Sequence, residues 1–477
     1  MSDYREYGFC GLLETPARDA AVAVPPWLPA LRARALAILR AGLASADPRR
    51  TVERALHMQA GRLAIGLDIG APCAEVRSEP WTRVHLVAFG KAAVAMAEAA
   101  QRSIPAQLLA EAGVVVTNRE NVAGLAGFKV VGAGHPLPDA AGQAGARLIA
   151  ERVRAAGAGE LVLVLISGGG SALLPSPAGR LALADKIATT ERLLASGADI
   201  GQVNTVRKHL SALKGGGLAR LAAPAALHAL ILSDVLGDEV SAIASGPTVP
   251  DPTTYADAIQ VLERYDLWGR LPSAVRVHLS RGLRGELPET PKPGDPLFAR
   301  TGYTLIGGNR QSLAAAAAEA GRDGRRVSVY STALTGEARV AAERLAQAAR
   351  DALQRCSGRP FALLAGGETT VTLRGRGLGG RNQEFALAFA LAAEQLGLPK
   401  RWVLLSAGTD GRDGPTDAAG GLVDPWSLER IRGSGAEPNA LLADNDAYRA
   451  LLRSEDLLRT GPTGTNVADL QVLLVGG

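Results

Sequence analysis

The 477-residue chain is 47% hydrophobic and 21% charged, which is the balance of a globular protein with room for two large domains and excludes wholesale disorder. Aromatic residues make up only 4% and the net charge is +5 without a long basic run, so no nucleic-acid surface is expected. The three cysteines, Cys10, Cys73 and Cys356, lack metal spacing, and no basic stretch followed by an apolar one opens the chain. These features predict a cytoplasmic protein with no disulfide framework, zinc site or membrane span.

Residues 1–28 read as an extension with little periodicity. From Leu31 the apolar spacing predicts a helix that stops near Asp47-Pro48. Strands and helices then alternate. A strand over 84–89 runs into a helix opened by Gly90-Lys91, and strands over 113–117, 128–139, 161–167 and 227–235 follow. The uncharged run Leu161–Gly179 is interrupted by Gly168–Gly170, Pro175 and Pro177, so it reads as a buried strand entering a loop. A continuous apolar strand suits a parallel sheet covered on both faces. The Pro-, Gly- and charge-rich segment 281–300 marks the expected domain boundary. Beyond it, FALLAGGE (361–368) and TVTLRG (370–375) are too close for an intervening helix and predict a hairpin, hence a mixed sheet. The expected fold is two α/β domains: a doubly wound, Rossmann-like one over 29–285 and a mixed-sheet one over 300–477.

Five predicted strands end in glycine-rich or polar turns: Gly90-Lys91, Ser167-Gly168-Gly169-Gly170-Ser171, Ser233-Asp234, Gly366-Gly367-Glu368 and Gly408-Thr409-Asp410. In open α/β sheets the ligand crevice lies outside the carboxyl ends of strands, and exposed amides there suit an anion. There are seven lysines against 45 arginines, so each lysine is a candidate for a place that needs a compact ammonium, Lys91 first. In the segment 204–217, read as a helix ended by Gly215–Gly217, Asn204 opens a stretch in which Arg207, Ser211 and Lys214 share one face, and Lys208 adds a further lysine. Asp234 and Asp238, and Asp410 in the second half, could supply the one or two carboxylates that Mg²⁺ on a nucleotide needs. No GxxxxGK[ST] occurs, which excludes a standard P-loop. Gly375–Gly380 fits GxGxxG without an acid at the right distance and strand end, and it keeps an NAD(P)H-dependent reductase open.

From Leu31 to the C-terminus the chain resembles the glycerate 2-kinases that end in a MOFRL domain, some of which are named hydroxypyruvate reductase. The resemblance rests on FGKAA (89–93), GHPLPD (134–139), SGGGSALL (167–174), NTVRKHLSALKGGGLA (204–219), SDVLGDEVSAIASGPTVPD (233–251), GGETTVTLRGRGLGGRNQE (366–384), GTDGRDGPTDAAGGLVD (408–424) and TGPTGTNVADL (460–470). It implies ATP-dependent phosphorylation of the 2-hydroxyl of D-glycerate with Mg²⁺, by two domains flanking a cleft in a monomer or homodimer. It implies functional roles for Lys91 and for Arg381, with Asn382 and Glu384 beside Arg381 in GGRNQE. Asp234 would serve as metal ligand or as base. The alternative is a hydroxypyruvate reductase.

Overall fold

The computed structural model describes residues 25–68, 75–355 and 359–476; Cys10, Cys73, Cys356 and most of the expected N-terminal extension lie outside them. The chain divides into two compact units, one of Ala46–Gly308 with Gly464–Val467, the other of the chain up to Ser45 with Asn309–Thr463 and Ala468–Gly477. The division differs from the expected one at two places. The segment 281–300 is not a linker: Asp251 N–H donates to the Pro291 carbonyl at 2.8 Å and Tyr255 N–H to Glu289 at 2.9 Å, so its prolines shape turns inside the first unit. The first helix, Leu28–Ser45, packs with the second unit, where its apolar side joins Leu313, Leu364, Leu405 and Val472.

The first unit carries a small antiparallel sheet, β1 (Leu56–Gln59), β2 (Arg62–Gly66) and β3 (Val76–Arg77). Its main sheet contains β4 (Val84–Phe89), β5 (Gly113–Asn118), β6 (Phe128–Ala133), β7 (Leu161–Ile166), β8 (Ala226–Leu232) and β9 (Thr301–Gly307), all parallel, in the order β6-β5-β4-β7-β8-β9. Alternate residues serve opposite faces. Leu86, Leu163 and Leu165 meet Met96 and Ala100 of the helix Ala93–Ser103, while Val87, Val164 and Ile166 meet Ile149 and Val153 of the helix Ala140–Arg154. Both faces are covered, which is why these strands read as unbroken apolar runs. The strand order reverses between β4 and β7, the switch point at which doubly wound sheets open a crevice.

The second unit is built on β10 (Arg326–Leu334), β11 (Phe361–Gly367), β12 (Trp402–Gly408), β13 (Gly420–Val423), β14 (Leu457–Leu458) and β15 (Asp469–Val475), in the order β10-β11-β15-β12-β13-β14. The sheet is mixed, as expected, but not through a hairpin. Residues 371–380 form no strand; β10 and β11 are parallel, β15 enters antiparallel between β11 and β12, and β13 and β14 continue the sheet antiparallel beyond β12. The helix Arg381–Gln395 is buried over most of its length, with Phe385 and Phe389 in the core. Among the described residues no helix is long and apolar enough to cross a membrane.

Candidate active site

The turns after β4 and β7 are stitched together by their backbones. Lys91 N–H donates to the Gly168 carbonyl at 2.9 Å, Ser167 N–H to the Phe89 carbonyl at 3.1 Å, and Ala92 N–H to Ser167 Oγ at 3.0 Å. Gly90 has φ +122°, and a Cβ there would lie 2.7 Å from the Ser167 carbonyl carbon, so only glycine lets the two turns meet. The Lys91 carbonyl accepts from Thr117 Oγ1 at 3.3 Å and from Asn121 Nδ2 at 2.9 Å, which fixes where its side chain begins. Its stem passes the turn: a Cβ on Gly169 would lie 3.5 Å from Lys91 Cγ and 3.0 Å from His135 Nε2. Asp234, after β8, packs on Gly168. Burial raises the Asp234 pKa above the ordinary carboxylate value, against the pull of Lys91 and of the Gly169 N–H. Burial, then Lys91, lowers that of His135, leaving a neutral imidazole at pH 7.

The helix predicted over 204–217 ends at His209. The following residues are drawn into other pairings: Ala178 N–H donates to the Leu210 carbonyl, Ala212 N–H to Ser176 and Gly215 N–H to Ser245. Arg207, Ser211 and Lys214 therefore do not share a helix face. The loop nevertheless brings Lys214 to Ser171: its Nζ donates to the Ala244 carbonyl at 3.0 Å and to Ser171 Oγ at 3.4 Å. Ser171 Oγ lies 2.8 Å from Ser245 Oγ, which donates to Asn204 Oδ1 at 3.0 Å. These bonds hold Ala244 (φ 51°) and Ser245 (φ 62°) in the left-handed region, a strained conformation for non-glycine residues. Lys186, in the helix Leu183–Ala195, completes the group with its Nζ 3.4 Å from the Leu210 carbonyl. It was not singled out in the sequence, although the scarcity of lysine was a signal.

Two expected residues take other parts. Lys208 is buried in an ion pair with Asp251 at 3.3 Å, so the structure does not bring it into this group. Asp238 sits at φ 54°, and its buried Oδ1 has no hydrogen-bond partner. Among the described residues no group of three or more His, Cys, Asp or Glu side chains could hold a metal ion by itself.

In the second unit Arg381 opens its helix and binds Asp469 in a two-pronged pair, Nε to Oδ2 at 2.6 Å and Nη2 to Oδ1 at 2.9 Å, with Glu368 at 3.0 Å from Nη1. Burial would lower the Arg381 pKa, but the Asp469 bonds outweigh it and raise it. Asp469, missed in the sequence although it lies in the quoted stretch 460–470, is wholly buried. Asp413 caps the same helix, accepting from Asn382 N–H at 3.1 Å and Gln383 N–H at 2.9 Å, and burial pushes its pKa up to about 6. Asp410 Oδ1 accepts from Arg412 N–H at 3.0 Å. The remaining expected residues face inward: Thr409 Oγ1 donates to the Ala468 carbonyl at 2.6 Å, Asn382 Oδ1 accepts from Ser406 Oγ at 2.7 Å, and Glu384 binds Arg339 Nε and Asn445 Nδ2 at 2.9 Å each. These bonds support the helix start. They leave Glu384 and Asn382 no open face for a ligand.

The GxGxxG stretch loses its structural frame. No strand leads into it, and its glycines serve packing: a Cβ on Gly375 or Gly377 would collide with the backbone or side chains of Asp444 and Asp446, and one on Gly380 with Asp413. A dinucleotide fingerprint instead needs a parallel strand–turn–helix unit.

Comparison with known proteins agrees with this anatomy. The domain of unknown function DUF4147 matches residues 34–280 and the MOFRL family matches residues 361–469. The chain is 40% identical over 451 residues to a glycerate 2-kinase of Pyrococcus horikoshii, covering 93% of this chain and 97% of the relative. It is 44% identical over 403 residues to an Agrobacterium vitis protein that carries the provisional name hydroxypyruvate reductase, covering 83% and 88%. The crystal structure of glycerate kinase from Thermotoga maritima superposes with a TM-score of 0.81 at 37% identity, over 94% of this chain and all of that one. A chain that matches such relatives over nearly its whole length, with both domains in order, belongs to the glycerate kinase family in which a DUF4147 domain precedes a MOFRL domain.

Proposed function

We propose that the protein transfers the γ-phosphoryl group of ATP to the 2-hydroxyl of D-glycerate, giving 2-phosphoglycerate and ADP. The observation that carries this reading is the meeting, at the β4/β7 switch point, of the Gly168–Gly170 turn, Lys91 and a carboxylate whose proton affinity burial has raised. Phosphoryl transfer asks the protein mainly for positioning and for positive charge near the transferring group. Lys91, anchored through its backbone, supplies that charge at the turn. The 2-hydroxyl oxygen bonds to the γ-phosphorus as the bond to the bridging oxygen of ADP breaks, and Asp234 accepts the hydroxyl proton. A carboxylate with raised proton affinity is better suited to that transfer than an exposed one.

Mg²⁺ on a nucleotide needs only one or two protein carboxylates besides phosphate oxygens and water. Asp234, with Asp238 four residues on and its unpartnered Oδ1, fits that demand. The ion would neutralise phosphate oxygens. Arg381 is proposed as a second functional cation, poised by Asp469 and Glu368. No observation favours the reductase, because the GxGxxG glycines are used in packing. The deciding experiment incubates the protein with D-glycerate and MgATP, and separately with hydroxypyruvate and NADH. Formation of 2-phosphoglycerate, told from the 3-isomer by phosphorus NMR, supports the kinase; NADH oxidation without phosphorylated product rejects it.

A further inference from the structure

Two cations of the first unit, Lys186 and Arg207, line one cavity and a third, Lys214, stands behind its Ser171; among the described residues none has a carboxylate at ion-pair distance. Lys186 and Lys214 are only 5% and 3% exposed, and the buried Arg207 Nε has no hydrogen-bond partner. Burying an uncompensated cation is costly, and a fold that keeps three together has a use for an anion among them. Burial lowers the Lys186 pKa to about 7 and that of Lys214 well below its ordinary value, and Arg207 depresses both further. The only acid on the cavity wall is Glu191, which is exposed.

The cavity measures about 230 Å³. Lys186, Arg207 and Ser171 line it, and Lys214 bonds to Ser171. Its other end is formed by His135 and by Gly169, whose turn has Lys91 and Asp234 on its flanks. The rest of the wall is largely apolar and contains no Phe, Tyr or Trp against which a nucleobase could stack. The volume falls below the roughly 300–1,000 Å³ of clefts that enclose drug-sized ligands, so a small molecule suits it.

We propose that this cavity is the acceptor subsite: Lys186 and Arg207, backed by Lys214 through Ser171, bind the carboxylate of a small hydroxy acid and leave its hydroxyl toward the glycine turn. The proposal rests on the kinase reading for the identity of the acid as glycerate, but not for the binding of a carboxylate. A carboxylate bound there favours the charged form of Lys186, so binding at pH 8 takes up protons.

The test uses the full-length protein and titration calorimetry with D-glycerate, glycolate, glycerol and ATP. The wild type is expected to bind the two acids but not glycerol, with proton uptake at pH 8 visible as a dependence of the heat on the buffer. Lys186→Met and Arg207→Gln are each expected to weaken the acids at least tenfold, about 1.4 kcal/mol, while ATP affinity changes less than twofold. In turnover, the KM for D-glycerate rises and the KM for ATP does not. Lys186→Met exchanges a buried charge for an apolar chain of similar size, so its melting temperature should not fall; were it to misfold, Arg207→Gln carries the comparison. Unchanged acid affinity in the folded variants overturns the subsite, as does a loss confined to ATP, or a wild type that binds neither acid. A wild type without kinase activity that still binds acids through Lys186 sinks the kinase reading and leaves the subsite standing.

Discussion

A Cβ on Gly168 would lie 2.8 Å from the Cγ of Asp234, so the glycine turn and the half-buried carboxylate are in direct contact. One methyl group therefore reaches the proposed base without touching any ligand. Gly168→Ala is expected to displace Asp234 and lower kcat at least tenfold, about 1.4 kcal/mol in the barrier. Steady-state turnover of the purified variant checks this, and a kcat within twofold of wild type would detach Asp234 from catalysis.

Lys91 is held by its main chain: its N–H binds Gly168, and its carbonyl binds Thr117 and Asn121. Lys91→Ala keeps all three backbone bonds and removes the ammonium with its aliphatic stem. A loss of more than tenfold in kcat/KM with a melting temperature near that of wild type is expected. A smaller loss removes Lys91 from the reaction.

Asp234→Asn separates two roles. If the carboxylate contributes to metal binding, the variant needs more Mg²⁺ for half-maximal rate; if it serves only as base, kcat falls and the Mg²⁺ titration keeps its midpoint. Activity in the wild type should vanish on chelation, because the nucleotide phosphates need a counter-ion.

Lys208 offers a contrast, since it pairs with Asp251 in the interior. Lys208→Met leaves a buried carboxylate without its cation, and breaking such a pair costs roughly 3–5 kcal/mol. A lower melting temperature with an unchanged KM for D-glycerate is the expected result. A raised KM without destabilisation would return Lys208 to the site.

The pKa of Asp413, near 6, is above the ordinary value of about 4 for an exposed aspartate. A carboxylate raised by folding costs stability where it is ionised, and that cost fades as the pH falls from 6 toward 4. Asp413→Asn removes the titration and keeps one acceptor oxygen for the helix cap. The melting temperature of the variant relative to wild type should therefore be more favourable at pH 7.5 than at pH 4.5. A difference independent of pH would show that Asp413 is not buried as an ionised group.

The parallel sheet was legible because strands buried on both faces carry unbroken apolar runs, as in Leu161–Ile166. The strand-end turns were legible for a related reason: glycine appears where two backbones meet, as at Gly90 and Gly168. Arg207 and Lys214 were rightly grouped for a mistaken reason, since tertiary hydrogen bonds end the helix at His209 and a loop does the gathering. Pairings distant in sequence were illegible. Nothing local tells that Lys208 is neutralised by Asp251, that β15 enters between β11 and β12, or that Leu28–Ser45 belongs with the second unit. The prolines of 281–300 misled because turns within a domain and linkers between domains use the same residues.

The position of β15 bears on how the protein emerges from the ribosome. Domains tend to fold as units during synthesis. All six strands of the parallel sheet are available once Gly307 has been made, whereas the centre of the mixed sheet stays vacant until Asp469–Val475 appear. Until then β11 and β12 each present an unpaired edge, a feature that invites aggregation, and the helix Leu28–Ser45 must wait for Leu405 and Val472, translated long after it. A nascent chain stalled before β15 would carry a complete parallel sheet and an open mixed one.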